Sequence, residues 1–212
     1  MKKLISITAI LILSSGFSFA QLTSEDNLDK FHIGAKIGGS FSNVYDTSGE
    51  EFDADPIMGL TGGVFFSIPI GRFIDIQVEG MITQKGLKGS GSILGSQYSF
   101  QRRTTFLEIP FLLGIKASQY VTVLVGPQYS YLLKERYEFS SAVVNILQEE
   151  EFKQDNIRKN IFGIVGGIDV NLSQIVVGAR IGWDLVNNRG DGTSSTPRYK
   201  NVCAQLTVGF RF

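Results

Sequence analysis

His32 is the only histidine in the 212 residues and Cys203 the only cysteine. A hydrolytic relay places an imidazole beside a serine hydroxyl and a carboxylate. His32 has no serine motif near it in sequence, and we read it as a hydrogen-bonding residue of an interior or rim. One cysteine allows neither an intrachain disulfide nor a thiolate metal cluster. Carboxylates gather at Asp46, Glu50, Glu51, Asp53 and Asp55, and again at Glu149, Glu150 and Glu151. Oxygen ligands of this kind suit Ca²⁺, but the spacing does not match a helix–loop–helix calcium motif. Solvated acidic loops are the better reading. Gly166 and Gly167 lack the flanking pattern of a nucleotide-binding turn. The expectation is therefore no catalytic, cofactor-binding or metal-ligating residue and no enzyme activity.

A second set of charged residues is more orderly. Lys36, Lys85, Lys116, Arg180 and Arg211 stand against Asp75, Glu79, Glu108, Asp169 and Asp184, each on the polar phase of an alternating segment. The clearest alternation closes the chain. Val202, Ala204, Leu206, Val208, Phe210 and Phe212 form one phase, and Cys203, Gln205, Thr207, Gly209 and Arg211 the other. Period-two alternation over about ten residues is a strand with two unlike faces, and is the length a tilted strand needs to cross a bilayer. The same pattern recurs from Phe31, Met58, Ile74, Leu107, Val121, Phe162 and Ile175. That makes eight strands.

The connections alternate too. Short turns are expected at Pro69–Gly71, Ala117–Gln119 and Asn171–Ser173, and long polar loops at 43–55, 87–97, 135–157 and 187–197. Short turns at one end and long loops at the other are the habit of bacterial outer-membrane barrels, whose turns are periplasmic and whose loops are extracellular. A soluble barrel also alternates, with its apolar face inward. Here the polar face is sparse in charge, balanced in sign and rich in glycine. That suits a narrow interior better than a water-facing exterior. Phe31, Phe73, Tyr120, Phe210 and Phe212 near the turns, and Phe41, Tyr98, Phe100, Tyr131 and Trp183 near the loops, match two interfacial girdles. The 135–157 segment is expected either to extend its strands or to form a short helix around Ala142–Glu151.

The N-terminus reads as an export signal. Met1-Lys2-Lys3 precedes the apolar run Leu4–Leu13 and the small-residue site Ser18-Phe19-Ala20, predicting cleavage after Ala20. The two domains expected are thus a signal peptide over 1–20 and a barrel over 21–212. Losing Lys2 and Lys3 takes the formal charge from 0 to −2, which gives no basic face for nucleic acid. No later segment is apolar for long enough to span as a helix, so any membrane passage must be a closed barrel.

Thr105-Phe-Leu-Glu-Ile-Pro-Phe-Leu-Leu-Gly-Ile-Lys116, followed by Val125-Gly126-Pro127 and preceded by Gly34-Ala-Lys-Ile-Gly-Gly39-Ser-Phe-Ser-Asn43, resembles strands of the PorT-like outer-membrane β-barrel family. The resemblance covers essentially the whole chain after the signal. It implies an integral protein of the cell outer membrane in contact with lipid and lipopolysaccharide. The terminal Phe212 is similar to the end signal read by the barrel-insertion machinery. The family implies no catalytic set. Some members are linked to secretion complexes, so a component of a protein secretion or assembly complex stands beside a structural or interaction role with an envelope partner.

The sequence reading is tested by heating. In an outer-membrane fraction, the unboiled protein is expected to migrate differently from the boiled one on a denaturing gel. A soluble periplasmic protein with no such shift contradicts it.

Overall fold

The computed structural model describes residues 30–45, 53–93, 96–141, 145–150, 158–187 and 199–212. The expected signal peptide, the acidic cluster at 46–51 and most of the 187–197 loop lie outside them. The described chain forms β1 (His32–Tyr45), β2 (Asp53–Gly71), β3 (Ile74–Ile93), β4 (Ser96–Lys116), β5 (Val121–Ser141), β6 (Asn145–Glu150), β7 (Asn160–Leu172), β8 (Ile175–Asp184) and β9 (Lys200–Arg211). No helix occurs among these residues.

All pairings are antiparallel. The order β4-β3-β2-β1-β9-β8-β7-β5 closes on itself through β4–β5, which gives a ring of eight strands. The seam joins the first strand to the last: Ile37 stands opposite Val208, and the Phe212 amide donates to the Ile33 carbonyl at 2.8 Å. Both ends of the described barrel therefore lie beside the short turns, as expected.

The faces sort as the alternation requires. Ile37, Leu60, Ile82, Phe111, Val123, Ile164, Ile181 and Leu206 point outward and are exposed, whereas Lys36, Thr61, Thr83, Glu108, Thr122 and Arg180 point inward and are buried. An apolar exterior around a polar interior is the arrangement that lipid rewards, because apolar surface left in water is costly and a charged side chain left in lipid is costlier. The soluble alternative, with its apolar face inward, is not what the chain builds.

Closure is tight at the seam. A Cβ added at Gly38 would lie 1.9 Å from the Leu206 carbonyl oxygen, so the backbones of β1 and β9 approach there only because position 38 has no side chain. The prolines are equally placed. The β4–β5 ladder skips from Pro110–Gln128 to Leu113–Val125, and Pro127 sits in that gap, where its missing N–H forfeits no bond to β4.

One loop expectation is corrected, and at 135–157 the strand-extending alternative is the one the chain builds. Residues 87–97 are mostly strand: β3 runs to Ile93 and β4 starts at Ser96, with Leu87 opposite Arg102 and Gly91 opposite Tyr98. The 135–157 segment holds the end of β5 and all of β6, with Glu135 opposite Glu150 and Phe139 opposite Ile146. No helix forms at 145–150. Beyond the bilayer both faces of a strand meet water, so the apolar–polar alternation vanishes while the backbone ladder continues. β4 and β5 each have 21 residues against 10 in β8 and 12 in β9. The excess is about 30 Å of strand, so a sheet rises from one side of the barrel on the extracellular end. Tyr98 and Phe100 pair with Ser141 and Phe139 in this projection, not at a membrane boundary, and their side chains lie outside the described residues. Phe41 and Trp183 are exposed at the extracellular girdle, joined by Phe162.

Leu206 is 64% exposed at the middle of β9. Leu206→Arg is expected to cost about 2–4 kcal/mol, the penalty for a cation near the bilayer midplane, read as a lowered urea midpoint for folding into vesicles.

Candidate functional site

The inward side chains form layers along the barrel axis. Nearest the turns is a small cavity of about 30 Å³ lined by His32, Ser67, Asp75, Lys116, Asn171 and Arg211, among others, with space for about two water molecules. Above it lies a four-residue ion cluster. Lys36 Nζ is 2.9 Å from Glu79 Oε1 and 3.0 Å from Asp169 Oδ2. Arg180 reaches the same two carboxylates at 3.1 and 2.8 Å. Gln77 adds a donor to Glu79 at 2.6 Å. Two cations against two carboxylates leave the cluster neutral.

Leu112, Leu124 and Val165 form an apolar layer on the β4, β5 and β7 side of the interior. Farther up, Lys85 Nζ lies 2.7 Å from Glu108 and 3.3 Å from Asp184. One lysine here serves two carboxylates, and amides complete them. Gln128 and Gln205 each donate to Glu108 at 2.9 Å, and Asn201 donates to Asp184 at 2.7 Å. Phe106, Leu132 and Ile161 pack beyond this cluster, and Arg102 pairs with Glu135 near the extracellular end.

Three interior cations also rest on rings. Lys36 lies 4.6 Å from the Phe65 centroid, Lys85 5.3 Å from Phe106 and Arg102 5.5 Å from Tyr199. An aromatic face attracts a cation more strongly where water is excluded. Phe65 and Phe106 interrupt the polar phase of their strands, and Tyr199 precedes β9, so alternation alone passes over these rings. The signal available was an aromatic two residues from a lysine-bearing or carboxylate-bearing polar position, as with Phe106 before Glu108.

Seven of the ten charged residues singled out from sequence thus join two clusters. Three do not. Asp75, Lys116 and Arg211 line the cavity at the mouth. The Arg211 Nε donates to the Ser173 carbonyl at 2.7 Å and Nη1 to Asn171 at 3.3 Å. Ser173 takes φ 59°, a left-handed turn residue. Asp75 is 5% exposed and its Oδ1 has no hydrogen-bond partner. That oxygen occupies the space a side chain at Gly114 would fill, 1.7 Å from such a Cβ. The mouth therefore gathers His32, Ser67 and Asp75, the residue types of a hydrolytic relay. They line one cavity, and a relay would set the imidazole between serine and acid. No group of three or more metal-ligating side chains occurs among the described residues. Cys203 is buried among the lumen groups as a free thiol.

An apolar-sheathed closed ring with an ion-paired interior, short turns at one end and an extended sheet at the other defines an integral β-barrel of the outer-membrane type. Residues 19–190 match the model of the outer membrane protein beta-barrel domain, and the chain belongs to that family. The fold is similar to Ail, the attachment invasion locus protein of Yersinia pestis, at 14% identity and a TM-score of 0.46, covering 86% of this chain and 99% of that one. It is also similar to Neisserial surface protein A, at 11% identity and 0.46, covering 86% and 97%. A third likeness is OprG from Pseudomonas aeruginosa, at 11% and 0.41, covering 88% and 98%. No curated protein matches the sequence.

Lys85→Met leaves Glu108 and Asp184 buried without their cation. Breaking one side of such a pair is expected to cost about 3–5 kcal/mol, measured as a fall in urea midpoint. The triple variant Lys85→Met, Glu108→Gln, Asp184→Asn is expected to recover most of that loss, and failure to recover contradicts the charge-pair account.

Proposed function

We propose that this chain, exported through cleavage after Ala20, is a non-enzymatic outer-membrane barrel sealed against solute flow. Its role is then structural or interactive, with the sheet outside the membrane offered to an envelope or external partner. The observation that carries this reading is the filled interior. Two carboxylate–cation clusters, two apolar layers and a capping Arg102–Glu135 pair span the lumen. Moving an ion past them means separating buried charges that have no water to replace their partners, and an eight-stranded barrel has room for little besides its own side chains.

A second reading, a PorT-like component of a secretion or assembly complex, draws on the Thr105–Lys116 strand and its Gly126-Pro127 partner. Proteins of such complexes must contact periplasmic or membrane neighbours, whereas the first reading directs contact to the extracellular sheet.

In planar bilayers the native protein is expected to give no stepwise conductance, and steady unitary currents overturn the sealed-barrel reading. Cross-linking in intact cells separates the two roles: capture of a periplasmic or membrane secretion complex favours the second. Lipid hydrolysis that disappears in His32→Ala contradicts the non-enzymatic assignment.

A further inference from the structure

The periplasmic rim differs in charge from the rest of the surface. Its described residues are the strand ends and the three short turns: 30–32, 69–73, 116–120, 171–174 and 211–212. These carry Lys30, Arg72, Lys116 and Arg211 and no aspartate or glutamate. The carboxylates nearest this end, Asp75 and Asp169, are 5% and 3% exposed and face the interior.

The four cations are not equivalent. Lys116 is buried in the mouth, and Arg211 is held by the β7–β8 turn. Lys30 and Arg72 are exposed at this end of the barrel. Lys30 lies two residues before the His32–Ser67 pair, which brings it to the level of the β2–β3 turn that bears Arg72. The Arg72 guanidinium is 5.7 Å from the Phe73 ring centroid. Around them stand Phe31, Phe73, Tyr120 and Phe212, all more than half exposed. Aromatics of this kind mark the headgroup level of a membrane. Cations in the same ring are therefore at the height of lipid phosphates.

The far end of the barrel shows no such bias. Its described residues mix Lys88, Lys134 and Arg136 with Asp55 and Glu135. The described charged side chains of this rim are all cations at headgroup depth, an arrangement that favours anionic lipid, since each basic residue near an anionic surface contributes about 1 kcal/mol.

We infer that the periplasmic rim, through Lys30 and Arg72, binds the phosphate headgroups of anionic phospholipids in the leaflet that faces the periplasm. The inference goes beyond the proposed role and rests on the outer-membrane fold alone. Glu25, Asp26 and Asp29 precede Lys30 in the sequence, so the test uses the full exported chain.

The folded protein in detergent is offered equal amounts of phosphatidylglycerol and phosphatidylcholine with identical acyl chains. Bound lipid is then counted by native mass spectrometry. Phosphatidylglycerol is expected to be enriched, and the enrichment is expected to fall as salt rises. Lys30→Gln with Arg72→Gln lowers it by about five-fold for each cation removed. Lys134→Gln with Arg136→Gln, at the opposite end, leaves it unchanged. The gel shift on heating shows that each variant is folded. Equal retention of the two lipids by the native chain overturns the inference. So does an enrichment that survives loss of Lys30 and Arg72, or one lost equally in both double variants.

Discussion

Every backbone N–H and C=O that enters lipid must find a partner within the protein, because the hydrocarbon core offers none. The rest of this structure follows from that requirement. An open eight-stranded sheet would leave two bare edges, so β1 must meet β9, and the Ile33–Phe212 and Ile37–Val208 pairs make that seam. Gly38 is the local condition for it, since a side chain there would strike the Leu206 carbonyl. Closure in turn creates an inside, and a ring of eight strands makes that inside narrow.

A narrow interior sets the second problem. One face of each strand must be apolar for lipid, so the polar face is driven inward together with its charges. Those charges survive burial only in company. Lys36 and Arg180 share Glu79 and Asp169, and Lys85 holds Glu108 and Asp184 with three amides in support. Rings under the cations and aliphatic layers around the clusters displace the water that would weaken these pairs. The result is a barrel held by backbone pairing on its wall and by ion pairs across its interior. Only at the two ends are side chains free of both constraints. At one end the strands continue as a sheet, and at the other a basic rim sits among exposed aromatics.

Much of this was legible from the residues. Alternation located the eight membrane strands because lipid and lumen impose opposite demands on neighbouring positions. It failed at 87–97 and 135–141, where strands continue into water and the demands on the two faces become alike. It also missed Phe65 and Phe106, because an inward aromatic beneath a cation violates a purely polar lumen, and Tyr199, which precedes β9. All ten charged residues singled out as lumen-facing lie in the interior or at its mouth, but Arg102 was missed and the grouping was not legible. Lys36 and Asp169 are 133 residues apart in sequence, and no local pattern announces such a pair.

The sequence by itself therefore determined the class of fold, the membrane face of each strand, the side on which the first and last barrel strands begin and end, and the balance of buried charge. These are period-two and composition effects, set by how each residue partitions between lipid and a polar interior. Only the tertiary structure decided which cation meets which carboxylate, that Asp75 stays at the mouth with an unpartnered oxygen, and that Lys30 and Arg72 share one rim. Strand register and ring closure make those choices, because they fix distances between residues that the chain itself leaves far apart.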